Sequence, residues 1–178
     1  MIRFYAPDIR DSLSLPESDS GHCVRVLRKR EGDSIEVVDG AGTLYRCTIT
    51  AAHPKHVALA IDSETPLPKV WKPSITLAVA PTKHADRMEW LVEKLVEIGI
   101  DRFVPLRCER SERKELKRDR IEKIAVSAMK QSLKAVLPQI DDTTPLKDFL
   151  AEAAAADARR FVGYCDDNTP RSLLAKAC

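Results

Sequence analysis

The sequence predicts an α+β protein of two domains, an N-terminal β-barrel and a C-terminal α/β domain with a mainly parallel sheet. Short strand patterns separated by turn residues fill the first part of the chain, and apolar strands alternate with helical patterns in the second. Between them, three prolines fall within residues 65–73 and exclude a continuous helix or central strand there. We therefore place the domains at residues 1–68 and 73–178.

The expected N-terminal elements are three strands and one short helix. Residues 34–39 alternate apolar and polar side chains, and the turn residues Asp-Gly-Ala-Gly close that strand at 39–42. Further strands are expected over 44–50 and 57–62. A short helix over 22–28 precedes the hairpin. Short strands with a single small helix favour a small barrel.

The second part alternates strands with helices. Strands are expected at residues 74–80, 102–106 and 160–165. Apolar side chains recur at helical spacing from Met88 to Ile98 and stop before Gly99, which suits the C-cap of a helix.

Prolines mark the limits of the later helices. A long helix is expected over residues 121–132 and ends before Pro138. The pair Thr144-Pro145 then reads as an N-cap followed by proline at the first helical position, and Thr169-Pro170 repeats this pattern. Alternating strands and helices of this kind indicate an α/β domain with a parallel sheet.

The charge is unevenly distributed along the chain. The formal net charge is only +2, so no global polyelectrolyte character indicates nucleic acid. Residues 71–140, however, carry 15 basic and 10 acidic side chains, whereas residues 1–70 carry 9 and 10. This polarity suits a partner that contacts one face.

Five widely spaced cysteines form no Cys-x-x-Cys pair, which argues against a disulfide framework or zinc finger and favours a reducing compartment. The N-terminus lacks the apolar stretch of a signal peptide, and no run is long enough to span a membrane. We expect a cytoplasmic protein without membrane contact.

Several common sites are missing. The six glycines form neither a G-x-G-x-x-G fingerprint nor a phosphate loop, and no G-x-S-x-G or H-E-x-x-H motif occurs. His53 and His56 lie in a polar turn with too few neighbouring ligands for a closed zinc site, so no metal is expected. Aromatic residues make up only 5% of the chain, which disfavours a base-stacking platform.

A short basic segment is the first candidate site. Residues 22–30 contain four cations and no acid, and a strand-turn-strand pattern follows at once. A basic element attached to a small β-structure presents its charges to a phosphate backbone. The candidate RNA-binding residues are Arg25, Arg28, Lys29 and Arg30.

The second candidate site lies beyond two strands of the predicted sheet. Arg110 and Arg113 follow the strand at 102–106, and Lys83 and Arg87 follow the strand at 74–80. Ligands bind at the carboxyl ends of strands in open α/β sheets, so the two groups are expected to converge there, and we take all four as candidate RNA-binding residues. The alternative is a solvated helix start, because residues 107–123 mix eight basic with five acidic side chains.

Lys130, Gln131 and Ser132 stand near the end of the second long helix. They could supply further polar contacts, or the lysine could complement the helix dipole. Spacing alone leaves both open.

Taken together, five motifs in collinear order resemble the ribosomal RNA small subunit methyltransferase E family. They are H-x2-R-V-L-R over residues 22–28, the Asp-Gly turn at 39–40, M-E-x2-V-E-K-x-V-E-I-G within 83–99, R-C-E-R-S-x-R-K over 107–114, and K-Q-S at 130–132. Each motif alone is weak, but the combination is specific and runs along nearly the whole chain.

The resemblance implies methyl transfer from S-adenosylmethionine to uracil N3 of small-subunit ribosomal RNA, free or within a 30S-type particle. It also implies a PUA-like RNA-binding barrel and a C-terminal SPOUT (α/β-knot) domain that works as a homodimer. In this setting Arg25, Arg28 and Arg30 would clamp phosphates, while Arg110 and Arg113 would line the substrate side of the cleft. The catalytic group and the cofactor-binding residues stay unassigned.

The chain departs from the family pattern after residue 165. Family members continue into a G-P-E-G-G segment and a later L-G-x-R-I-L-R-x-E-T-A segment, and neither occurs in this sequence. We therefore expect an incomplete knot, no complete cofactor pocket, and no methyl transfer by these residues alone, as in a truncated or partial protein. Lys130-Gln131 also replaces the acidic-glutamine pair common in the family.

Two alternatives to the enzyme stay open. The first is a non-catalytic RNA-binding or ribosome-assembly protein of the same two-domain build, favoured by the missing cofactor segments. The second is a generic α/β fold with a barrel insert and no role in RNA binding.

Overall fold

The computed structural model describes residues 2–163 of the chain. Its N-terminal elements are β1 (Arg3–Tyr5), α1 (Ile9–Ser12), α2 (Glu17–Gly21), a π-helical turn (His22–Val26), β2 (Ser34–Val38), β3 (Thr43–His53) and β4 (His56–Pro66). They are followed by β5 (Thr76–Val79), α3 (Ala85–Ile98), β6 (Arg102–Arg107), α4 (Arg118–Gln131), β7 (Gln139–Ile140), β8 (Thr144–Pro145) and α5 (Leu146–Ala155).

The N-terminal strands form one sheet in the order β1-β2-β3-β4. Strand β1 runs parallel to β2, and the other neighbours are antiparallel. Ser14 bridges Ala58 on β4, so the chain just after α1 reaches the edge of the sheet opposite to β1. The three predicted strands are confirmed. Among residues 2–163 the strand pairings describe this four-stranded sheet rather than a closed barrel.

The helix predicted over residues 22–28 has different limits. Helix α2 begins at Glu17 and continues into the π-helical turn, which ends at Val26. Arg28 leaves helical geometry with φ +53°, a left-handed conformation that interrupts a helix. The basic residues therefore occupy the end of the turn and the loop after it.

The second sheet is parallel, with the order β5-β6-β7 and with β8 also pairing β6. Phe103 on β6 is fully buried beneath α3 and α4, in a core that contains Val92 and Met129. Gly99 ends α3 as predicted, with φ +101° and its N–H donating to the carbonyl of Leu95 at 2.8 Å. The predicted mainly parallel sheet is confirmed.

The third helix predicted to open at Thr144-Pro145 is present as α5, which begins directly after them at Leu146. Thr144 and Pro145 themselves pair with β6 as β8 rather than forming its first turn. The strand predicted over residues 160–165 is wrong where the structure describes it. Residues 160–163 are not a strand. The Arg160 guanidinium instead donates to carbonyls at the end of α5, which keeps this segment beside its own helix. Residues 164–165 and the helix expected from Thr169 lie outside the described residues.

The chain up to Leu146 forms one compact unit, and the residues from Lys147 form another. Within the first unit, the turn between β2 and β3 pairs with the chain that follows α4. Gly42 N–H donates to the Ala135 carbonyl at 2.9 Å, and Leu137 N–H donates to the Gly40 carbonyl at 2.8 Å. The N-terminal sheet is thereby joined to the parallel sheet. The boundary proposed at residues 68–73 stays a prediction.

The β2–β3 turn provides a test of this junction. Gly40 has φ +80°, and a Cβ added there would lie 3.0 Å from the Tyr5 ring. We expect Gly40→Ala to lower the free energy of unfolding by about 2–3 kcal/mol, because a left-handed alanine is strained and the ring must also shift. Urea denaturation measures the change.

Gly32→Ala is the matched control for backbone strain. Gly32 has φ +86° but no atom within 4 Å of the added Cβ, so only about 1 kcal/mol should be lost. Equal losses for both variants would contradict the close approach at Tyr5.

Candidate RNA interface

The basic segment, residues 25–30, lies on the surface of the N-terminal sheet. Arg25, Arg28 and Arg30 are exposed, whereas Lys29 is half-buried. The segment borders an open groove of about 560 Å³ that is lined by Val24, Arg28, Lys29, Arg30, Glu31 and Ala52. Within residues 2–163 no carboxylate pairs with the three guanidinium groups, so their charge is available to an anion.

The backbone holds this segment in place. Buried Cys23 anchors the π-helical turn, and its carbonyl accepts from Lys29 N–H at 3.1 Å. Arg30 N–H donates to the Asp33 carboxylate at 2.8 Å, while Lys29 Nζ lies 3.4 Å from the Ser34 carbonyl. A fixed backbone with free guanidinium groups is a good arrangement for phosphate contacts.

The second predicted group lies at the carboxyl edge of the parallel sheet. Arg113 Nη2 donates to the Lys83 carbonyl oxygen at 3.2 Å, which joins the loop after β6 to the loop after β5. Arg87 and Arg110 are exposed nearby in sequence, at the start of α3 and in the loop after β6. The structure therefore brings Arg113 and Lys83 together. Within residues 2–163, no hydrogen bond or ion pair joins Arg87 or Arg110 to them.

A further basic groove, of about 530 Å³, lies at the start of α4 and was not singled out from the sequence. It is lined by Lys117, Arg118, Asp119, Arg120 and Lys123. Its arginines are partly neutralised, since Arg118 pairs with Glu122 at 2.7 Å and Arg120 pairs with Glu89 of α3 at 2.6 Å. These residues belong to the run of mixed charge at 107–123 that the sequence showed, but sequence alone did not show which of its cations share a groove.

Lys130 has a specific partner. Its ammonium lies 3.0 Å from the Asp19 carboxylate of α2, in the last turn of α4, where a cation also complements the helix dipole. His53 and His56 face each other at the end of the β3–β4 hairpin and are exposed. The part of the chain that the structure describes contains no cluster of three or more metal-ligating side chains.

Burial disfavours two of the cysteines as nucleophiles. It raises the pKa of the Cys47 thiol to about 11 and also raises the pKa of Cys23, so both are protonated near neutral pH. Asp101 differs. Burial acts to raise its pKa, but hydrogen bonds from Lys69 and from Ile75 N–H lower it overall, which indicates a structural carboxylate. The described residues identify no catalytic acid or base.

Neither groove fits S-adenosylmethionine. Both are open, and in each the lysines and arginines outnumber the single acidic residue, so a net positive charge opposes a sulfonium ion. Neither contains a glycine-rich backbone for close approach to a nucleoside. Both grooves suit a polyanion instead.

Comparison with known proteins identifies the family. A family model described as RNA methyltransferase domain matches residues 70–177, and one described as RNA methyltransferase PUA domain matches residues 15–62. The chain belongs to the ribosomal RNA small subunit methyltransferase E family. The predicted resemblance is thus confirmed, as is an α+β fold with a PUA domain and a parallel-sheet methyltransferase domain.

Solved structures of the family share this fold. A probable rRNA-methyltransferase from Porphyromonas gingivalis is 40% identical, with a TM-score of 0.88 over 99% of this chain and 74% of that one. The ribosomal RNA small subunit methyltransferase E of Neisseria gonorrhoeae, solved bound to S-adenosyl methionine, is 26% identical, with a TM-score of 0.72 over 84% of this chain and 64% of that one.

Curated relatives of the same name are longer than this chain. The Bacillus subtilis enzyme is 26% identical over 78% of this chain and 56% of its own length. The Aquifex aeolicus enzyme is 28% identical over 84% of this chain and 66% of its own length. The chain therefore spans little more than half to two thirds of these relatives. No helix within residues 2–163 is long and apolar enough to cross a bilayer.

Proposed function

We propose that this chain supplies the RNA-binding part and one wall of the catalytic cleft of an S-adenosylmethionine-dependent methyltransferase that modifies uridine N3 in small-subunit ribosomal RNA. The observation that carries the proposal is the unpaired basic segment beside a groove, on a domain joined directly to the methyltransferase sheet. Names of the relatives support ribosomal RNA as the substrate class.

Each basic group has a proposed role. Arg25, Arg28, Lys29 and Arg30 hold phosphates, which gives salt-dependent and largely sequence-independent affinity. Lys83, Arg87, Arg110 and Arg113 receive the target nucleotide at the sheet edge. A guanidinium there would stabilise the negative charge that uracil carries once N3 has lost its proton, before N3 takes the methyl group and the sulfonium leaves as a neutral thioether. The Lys83 carbonyl limits the orientations open to Arg113.

Binding of the methyl donor requires residues in addition to those of this chain. We propose that residues 1–178 alone do not bind S-adenosylmethionine, because neither described groove fits it and the glycine-rich family segments are missing from the sequence. We further propose a PUA-like barrel, a knotted SPOUT domain completed by such segments, a homodimer and a cytoplasmic location, all on the family resemblance.

A chimera tests the reaction. Residues 1–163 of this chain, joined to the corresponding C-terminal part of the Porphyromonas gingivalis protein, should transfer methyl groups to 30S particles from cells that lack this modification. Nucleoside mass spectrometry should then show N3-methyluridine. Methylation of another atom would contradict the proposed specificity. RNA binding without any transfer would favour the non-catalytic assembly protein.

Calorimetry tests the cofactor proposal on the unaltered chain. We expect no heat of binding when S-adenosylmethionine is titrated into the 178-residue protein. Micromolar affinity would show that the chain already contains a pocket.

The arginines at the sheet edge provide a mutational test. Arg110→Ala with Arg113→Ala should lower affinity for ribosomal RNA by about tenfold near 0.15 M salt and reduce the salt slope by about 1–2, since each phosphate contact releases about one counterion. Filter binding against salt concentration measures both quantities. In the chimera the same pair should also lower the methylation rate.

Lys72→Ala with Lys94→Ala is the control. It removes the same charge, but Lys72 precedes β5 at the opposite edge of the sheet and Lys94 pairs with Glu93 and Glu97. Unchanged affinity and rate in the arginine variant would remove Arg110 and Arg113 from the site.

A further inference from the structure

The ion pair between Asp19 and Lys130 joins two distant parts of the chain. Lys130 Nζ lies 3.0 and 3.2 Å from the two Asp19 carboxylate oxygens. Both side chains are largely shielded, with exposures of 13% for Asp19 and 26% for Lys130. Asp19 also accepts the Tyr5 N–H at 3.1 Å. The carboxylate is therefore held from β1 as well as from α4.

The two residues of the ion pair lie on elements that adjoin the two proposed RNA-binding groups. Asp19 lies in α2, which runs without a break into the π-helical turn and the basic segment. Lys130 lies in the last turn of α4, the helix that shares its apolar core with β6 and follows the loop that carries Arg110 and Arg113. The pair thus connects the element before one RNA-binding group to the helix after the other.

Neighbouring contacts support the same junction. The Arg3 guanidinium donates to the Leu133 carbonyl just beyond α4 and pairs with Glu36 of β2 at 3.1 Å. Val38 and Leu44 of the N-terminal sheet belong to the core that contains Phe103 and Met129. The Asp19–Lys130 ion pair thus lies in a junction that also contains apolar contacts, backbone hydrogen bonds and the Arg3 contact.

We propose that Asp19 and Lys130 form a positioning contact that fixes the basic segment relative to the sheet-edge arginines, so that one RNA molecule engages both groups at once. The proposal rests on the proposed RNA-binding function and adds residues that do not themselves contact RNA. Two sites on one rigid body raise each other's effective concentration for a ligand that spans them, and a loosened junction loses that gain.

The proposal predicts that breaking the ion pair weakens the binding of a long RNA but not of a short one. Lys130→Met and Asp19→Asn should each weaken binding of a long small-subunit ribosomal RNA fragment by about three- to tenfold, because the two groups no longer act together. A short RNA stem that reaches only the basic segment should bind with unchanged affinity. The conservative variant Lys130→Arg keeps the positive charge and leaves Asp19 in place to accept the Tyr5 N–H, so it should bind the long RNA to within about twofold of the unaltered chain.

Asp141→Asn is the control for a general loss of stability. Asp141 is comparably shielded and accepts from Arg102 Nε at 2.9 Å and from the Gln139 amide at 2.8 Å, and both donors belong to the parallel sheet. The Asp141→Asn variant should therefore change the affinities for the long and the short RNA by the same factor. Equal weakening of both RNAs in Lys130→Met, or no weakening of either, would overturn the positioning role.

A distance measurement tests the contact independently of RNA. Spin labels on ketone-bearing amino acids at Val26 and Lys123, both exposed, should give a narrow distance distribution in the unaltered chain and a broader one in Lys130→Met. An unchanged distribution would overturn the proposal. If the unaltered chain failed to bind RNA, the proposed function would fall, while the distance distributions would still decide whether the pair fixes the junction.

Discussion

Neutralising Arg25, Arg28 and Arg30 together is expected to lower the affinity for structured ribosomal RNA by about 10²-fold near 0.15 M salt. Each phosphate contact releases close to one counterion, which is worth roughly fivefold in affinity at this salt concentration. The three guanidinium groups are exposed and, within residues 2–163, unpaired with any carboxylate, so their full charge is offered to the RNA. The salt slope should fall by about 2–3.

Glutamine is the best replacement, since it keeps the long polar side chain and places no new constraint on the left-handed backbone at Arg28. Filter binding over a salt series measures affinity and slope together. The control replaces Arg46, Lys72 and Lys94 with glutamine, which removes the same charge from other exposed or internally paired positions. If both triple variants lost affinity equally, net charge alone would explain binding, and the basic segment would have no special role.

Phe103→Ala is expected to lower the free energy of unfolding by about 3–5 kcal/mol. Phe103 is fully buried on β6, in one core with residues of α3 and α4, so its removal leaves a cavity as well as losing apolar burial. The two tryptophans, Trp71 and Trp90, both lie in the same compact unit, so their fluorescence reports its unfolding in urea.

Ile98→Ala provides the comparison. Ile98 ends α3 and is 53% exposed, so a similar loss of apolar side chain should change stability by less than about 1 kcal/mol. A loss below about 1 kcal/mol for Phe103→Ala would mean that β6 is not the centre of this core.

Elements that depend on neighbouring residues could be predicted. The helix that ends at Gly99 follows from apolar spacing and one glycine, and the strand at Arg102–Arg107 follows from an apolar run. The strand predicted at residues 160–165 used the same local signal and was wrong over 160–163, because the Arg160 side chain binds carbonyls of the preceding helix. The pattern of apolar residues within the segment carries no information about a side-chain contact to the preceding helix.

For the candidate site, contacts between residues far apart in sequence could not be predicted. Sequence order placed Lys83 and Arg113 beyond two strands, and the strand ends of a parallel sheet share an edge. That the Arg113 guanidinium meets the Lys83 carbonyl depends on loop geometry. The groove at Lys117 and Lys123 likewise depends on which side chains already have acidic partners.

The sequence by itself determined the α+β class, the family and the presence of a basic segment, because each is written in composition, local periodicity or collinear motifs. Only the tertiary structure decided how the two sheets are joined. The Asp19–Lys130 pair and the turn bonded to residues 135–137 link segments more than 90 positions apart, and no local pattern encodes such pairings. Long-range contacts form only when the chain is folded, so the placement of the RNA-binding groups is a property of the fold.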